Sequence, residues 1–236
     1  MLRELLSILR SENPLGAMGE EFRRMLNVTY HMTMVAGELY FGKKPTPEER
    51  SHIYQEDREV NMAERRIRKL VVSHLSIPSN RASVPYCLIL MSLVKDVERL
   101  GDYAKNLSEV VDIHPDPLPD DDNVRELQEI RVGVERAFQA ASEVFENSDR
   151  EQALELILAG RELAHRTDAL LTRVAEGPYD AGTATALVLG ARYYKRIGGH
   201  VLNVLSSVVM PVHKVDYYDE DEVPEVVTRQ APEPKR

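Results

Sequence analysis

One cysteine, Cys87, in a chain of 236 residues excludes an internal disulfide and fits a reducing compartment. Long apolar runs are also missing. A membrane-spanning helix needs about 18 or more consecutive apolar residues, and the longest run here, Val84 to Val94, ends at Lys95-Asp96. The first residues, Met1-Leu2-Arg3-Glu4, lack the basic start and apolar stretch of a secretory signal. Positive charge is in deficit, with 30 Lys and Arg against 39 Asp and Glu and a formal net charge of −9. A nucleic-acid footprint is normally basic, so this balance argues against a nucleic-acid partner. No glycine-rich phosphate loop is present. The expectation is a soluble, cytoplasmic protein without a transmembrane segment.

Sustained period-two alternation, the mark of strands, is hard to find, whereas apolar residues recur at helical spacing from end to end. Phe22, Met25, Leu26, Thr29, Met32, Ala36, Leu39 and Tyr40 form the stripe of a first long helix. Thr46-Pro47-Glu48-Glu49 is a capping box with proline at the first helical position. The helix it starts carries Ile53, Val60, Ala63, Ile67, Leu70, Val71, His74 and Leu75 on one side. Pro78 and Pro85 bracket a polar loop, and a third helix runs to about Val111. Pro115, Pro117 and Pro119 then forbid a helix. Three more helical patterns follow, near 122–146, 149–175 and 180–209.

The two groups of three resemble each other. A shift of 97 places Leu90 on Leu187, Arg99 on Arg196, Gly101 on Gly198, Asn106 on Asn203 and Val111 on Val208. Internal duplication explains this clustering. The predicted fold class is all-α, two tandem three-helix-bundle repeats. The predicted boundaries are an N-terminal extension (1–17), repeat 1 (18–111), a linker (112–121), repeat 2 (122–210) and an acidic disordered tail (211–236). Within the extension, Leu2, Leu5, Leu6 and Leu9 read as an amphipathic docking helix or a frayed end.

The matched identities surround Glu98-Arg99-Leu100-Gly101-Asp102, with Asn106 one turn on. Glu98, Asp102 and Asn106 are spaced four apart and stack along one helical face. With Leu90, Leu93, Val94, Val97, Gly101 and Ala104 centring the apolar stripe, Glu98 falls on its shoulder and Arg99 almost opposite. Asp57, Asn61 and Glu64 occupy the matching shoulder of the second helix. Like charges four apart repel and give the helix nothing. Oxygen ligands from neighbouring helices suit iron, manganese or magnesium, with zinc a further candidate. An ordinary solvated acidic edge is the plain alternative. Gly101 costs about 1 kcal/mol against alanine in a helix and predicts close helix packing.

Glu98-Arg99-Leu100-Gly101-Asp102 resembles the signature of PhoU proteins, phosphate-signalling regulators. Glu56-Asp57-Arg58-Glu59-Val60-Asn61-Met62-Ala63-Glu64 is similar to that family's second-helix pattern. The resemblance spans about residues 18–210. It implies tandem three-helix bundles, metal binding at the acidic motifs, and regulation through a phosphate-transporter ATPase or a phosphate sensor kinase. Self-association is left open. The second repeat departs from the pattern: Lys195 and Gly199 stand where Glu98 and Asp102 would fall, and Arg161 and His165 answer Asp57 and Asn61. These changes remove negative charge, so the second site is not expected to hold the same cation. A remnant, a paired acid or an anion site are the alternatives.

The competing class is a carboxylate-bridged iron or manganese enzyme, because helical di-iron proteins use Glu-x-x-His pairs. Two such strings occur, Glu49…His52 and Glu162…His165, though Glu49 already serves the capping box. Arg65, Arg66, Arg68 and Lys69 read as a solvated face or a docking patch for an acidic partner. Met25, Met32, Met34, Met62 and Met91 read as core or near-core filler, and Cys87 as a buried small hydrophobe.

Overall fold

The computed structural model describes residues 13–42, 44 and 46–216. Among these residues there are six α-helices, two short 3-10 turns and no strand. The helices are α1 (Pro14–Tyr40), α2 (Pro47–Leu75), α3 (Val84–Ile113), α4 (Asp122–Asn147), α5 (Arg150–Glu176) and α6 (Ala181–Val209). The first three pack as one bundle and the last three as another. Helices α3 and α6 join the two along a long seam, and α1 touches α4.

Local chemistry sets the helix starts. Asn13 accepts the Gly16 N–H at 2.9 Å, with Pro14 opening α1. Thr46 and Glu49 complete the reciprocal capping box, with bonds of 3.1 and 3.0 Å. Asp121, Asp149 and Asp180 each accept backbone N–H groups at the starts of α4, α5 and α6. Ser148 turns the chain between α4 and α5 with φ at 52°. The proline linker is pinned at both ends: His114 meets Thr183 at 3.2 Å, and Tyr179 donates to Asp121 at 2.6 Å.

Every residue of the first stripe, Phe22 through Tyr40, is buried. On α2 the stripe is buried except at Leu70 and Leu75, which are half-buried. Across the repeats, Phe22 meets Phe145 with ring centroids 5.0 Å apart. Tyr40 donates to the Ala186 carbonyl at 3.0 Å. Arg131 pairs with Glu135 at 2.7 Å, reaches the Gly37 carbonyl at 3.2 Å and lies over the Phe41 ring. One packed interior therefore runs through both bundles.

Four expectations are corrected. Gly101 is buried, but a Cβ there would sit 3.5 Å from the Thr29 methyl and 3.7 Å from Met32, ordinary contact distances. Packing does not demand glycine at that position; Gly190 is where it does, since a Cβ would fall 2.2 Å from the Tyr40 ring. Met62 is 52% exposed and is not core. Helix α1 begins at Pro14, inside the stretch assigned to the N-terminal extension. The tail's first residues are only partly free: Pro211, Val212 and His213 are exposed, but Val215 is buried and the Asp216 N–H donates to Ser206 at 3.1 Å. The candidate docking helix within 1–10 and the tail beyond 216 lie outside the described residues.

Candidate functional site

The acidic set assembles on the flank of the first bundle, where α2 and α3 run side by side. The pattern that puts Leu100, Ala104 and Leu107 in the core leaves Glu98 and Asp102 half-buried beside them. Asp57 and Glu64 approach from α2, and Asn61 is tied locally by its amide to the Asp57 carbonyl at 2.9 Å. Burial raises Glu98 above the usual carboxylate range, and Asp102, Glu64 and Asp57 raise it further against the pull of Arg99. Four carboxylates thus share one field.

Lys105 sits inside that field. Its ammonium lies 3.0 Å from Asp57 and 3.4 Å from Asp102. Burial alone would lower this lysine, but the two carboxylates outweigh it and hold its pKa above the ordinary value. Arg99 closes the outer edge at 3.0 Å from Asp102 and 3.7 Å from Glu98, and Arg68 pairs with Glu64 at 2.8 Å. Three cations thus face the four carboxylates and leave the cluster net negative. Lys105 was legible as an i,i+3 partner of Asp102; attention to oxygen ligands alone passes over it.

In the second repeat the structure shows what the departures accomplish. Lys195 forms a bidentate ion pair with Asp168 of α5, at 2.5 and 2.6 Å. A paired acid, one of the three alternatives, describes that position. His165 and Glu162 are exposed on α5, Arg161 is half-buried, and Gly199 and Lys195 border a small cavity with Leu202. Glu49 and His52 lie near the start of α2 and Glu162 and His165 within α5, in different bundles. Of the basic run, Arg66 pairs with Glu21 at 2.8 Å and Arg68 with Glu64. These two charges are matched inside the molecule. Cys87 is fully buried, and burial raises its thiol.

A polar knot at the α3–α6 seam was not anticipated. Asp96 is buried, and its Oδ1 lies 2.7 Å from His200 Nδ1 and accepts Asn203 Nδ2 at 2.6 Å. His200 stacks on Tyr103 at 5.6 Å. His200 and Asn203, which follow the altered motif positions Lys195 and Gly199 on α6, thereby hold an acid of the first repeat. Asp216, at φ 78°, faces this knot with Oδ1 buried and unbonded.

Burial, with Asp96 adding to it and His200 opposing, raises Asp216 from 3.8 to about 6. Between these values the folded chain keeps a proton that the unfolded chain has released. Stability from this group is therefore full below the lower value and falls as pH rises through the window. Asn tolerates positive φ and carries no charge. Asp216→Asn should raise the melting temperature at about pH 7.5 and leave it nearly unchanged at about pH 4. Equal shifts at both pH values, in a thermal melt, would contradict this.

Two tandem three-helix bundles, with an acidic motif on the flank of the first and a seam between their third helices, define a class of helical repeat proteins. Residues 22–111 match the family model of the PhoU domain. The fold is that of the phosphate transport system regulatory protein PhoU from Streptococcus pneumoniae, with a TM-score of 0.71 over 89% of this chain and 96% of that one, at 14% identity. It is also that of PhoU from Pseudomonas aeruginosa, with a TM-score of 0.66 over 90% and 99%, at 20% identity. The first repeat is thus similar to the PhoU domain, and the chain shares the fold of these two structures across both repeats. No curated protein matches the sequence significantly. Among the described residues, no helix is long and apolar enough to cross a membrane.

Proposed function

We propose that this protein regulates phosphate uptake and phosphate homeostasis through protein–protein contacts, without catalysis, and that its first repeat holds a metal ion on carboxylates. The observation that carries the reading is the match of residues 22–111 to the PhoU domain, where the Glu98/Asp102 motif faces Asp57 and Glu64 across the α2–α3 flank. The partner is a phosphate-transporter ATPase or a phosphate sensor kinase, and the setting is the cytoplasm. Deleting the gene, with any redundant relative in the same cell, should change phosphate uptake and phosphate-starvation transcription; unchanged values would sink the reading.

The donor set fits a hard or borderline cation such as Mg²⁺, Mn²⁺ or iron, since it offers oxygens of net negative charge. Glu98, Asp102, Asp57 and Glu64 would hold the ion and Asn61 would border it, while Lys105 would swing away. The ion would neutralise the cluster and fix α2 against α3. Metal binding is asymmetric on this reading, because Lys195 and its Asp168 partner replace the acids in the second repeat. Glu98→Ala/Asp102→Ala should abolish Mn²⁺ binding measured by equilibrium dialysis, and Lys195→Ala should leave it intact. Equal binding by the wild type and the double variant would refute the site.

A further inference from the structure

A second cluster of metal-ligating side chains lies away from the acidic motif, on the face shared by α1 and α2. His31 projects from α1, while His52 and Glu56 stand one turn apart on α2. Glu56 is buried, and its Oε1 lies 2.8 Å from His31 Nδ1. Its other oxygen, Oε2, lies 3.3 Å from His52 Nδ1 but has no aligned hydrogen bond. The two imidazoles, each more than half exposed, meet edge to face at 5.9 Å. Among the described residues, these three form the group of His, Cys, Asp and Glu whose ligand atoms all fall within 4.8 Å of one another. The acidic motif is more widely spread.

We propose that His31, His52 and Glu56 form a binding site for a late first-row divalent cation such as Zn²⁺, independent of the acidic site and of the function proposed above. Two imidazole nitrogens and one carboxylate oxygen are the donors such ions prefer, whereas Mg²⁺ takes oxygen. Ligands about 2.0–2.2 Å from a tetrahedral zinc stand a little over 3 Å apart, so small side-chain rotations suffice here. The cation offers Glu56 Oε2 the directed partner it otherwise lacks, and both Nδ1 atoms become donors to the metal. The buried carboxylate gains a compensating positive charge in a place where burial disfavours an isolated one. The ion also clamps α1 to α2 near the start of α2, where the bundle's edge is open.

Three protein ligands leave a coordination position free. His31 and Glu56 border an open cavity of about 320 Å³ whose wall also carries Arg23, Arg24 and Asn27. Water fits that position, since the wall carries the Glu20 carboxylate beside the two guanidinium groups and Arg24 is paired with Glu59 at 3.5 Å.

The probe is Zn²⁺ alone, titrated calorimetrically into the full chain, with Co²⁺ visible absorption as the spectroscopic readout. Wild type and Glu98→Gln/Asp102→Asn are expected to bind Zn²⁺ equally at this site and to give the intense bands of low-coordinate Co²⁺. His31→Ala and His52→Ala change exposed side chains and should fold normally, as checked by circular dichroism. Each should weaken Zn²⁺ binding by at least roughly tenfold, since a lost ligand costs no less than a lost outer-shell partner. Glu56→Gln keeps the shape, removes the charge and should weaken it too. No Zn²⁺ binding by wild type, unchanged affinity in the histidine variants, or loss of the site in the acidic double variant would each overturn the proposal. Failure of the acidic site leaves this result unaffected, and the reverse holds as well.

Discussion

Phe22→Ala should lower the free energy of unfolding by about 3–5 kcal/mol, the range for truncating a buried aromatic. Phe22 is fully buried in α1, and its ring meets Phe145 of α4 at 5.0 Å. The substitution removes burial from the first bundle and an aromatic contact that ties it to the second. Aromatic pairs of this kind add about 0.5–1.5 kcal/mol beyond their buried area. The cavity left behind lies where two bundles meet, so relaxation has to move helices of both. Val132→Ala is the control, because Val132 is 65% exposed and such surface changes stay within about 0.5 kcal/mol. Urea denaturation of the three proteins checks the claim. A loss below about 1 kcal/mol for Phe22→Ala would show that the interior repacks without this ring.

Much of this architecture was legible in the chain. Periodicity is a local property, and burial of a helix face follows from it directly. Thus Phe22, Met25, Leu26 and Met32 are all buried as their spacing indicates, and the capping box at Thr46 starts α2 at Pro47. The duplication was legible for the same reason: two bundles built alike repeat their patterns. Long-range polar pairing has no such local signature. Asp96 reads as the polar end of an apolar run, yet it is buried against His200 and Asn203, more than a hundred positions away. His52 and Glu56 are visible as a pair four apart, but His31 joins them only through the crossing of α1 and α2. Gly101 was misjudged because a glycine's cost is local whereas its need is tertiary. The neighbours Thr29 and Met32 leave room for a methyl group.

Lys105→Met should make the first acidic site a stronger cation site while weakening the metal-free protein. The ammonium lies 3.0 Å from Asp57 and 3.4 Å from Asp102 and supplies the positive charge between them. Methionine keeps an unbranched stem of similar length and removes the charge, so packing along α3 changes little. In the absence of metal, Asp57 then loses its ion pair, and Asp102 and Glu98 keep Arg99 as their counter-charge. The loss of stability should be about 1–3 kcal/mol, the cost of stripping a charged group of its partner. The effect on Mn²⁺ binding has the opposite sign. A divalent cation among these oxygens no longer competes with a like charge, which at 4 Å and an effective dielectric of about 20 repels each unit charge by about 4 kcal/mol. Even a third of that value corresponds to about tenfold in affinity. The expected result is therefore a lower melting temperature without metal, together with Mn²⁺ affinity raised at least roughly tenfold in the titration. The Glu98→Ala/Asp102→Ala background should abolish that gain, because the ligands would then be missing. Unchanged Mn²⁺ affinity in Lys105→Met would show that the cation does not take the place of the lysine, and would count against a carboxylate site at this flank.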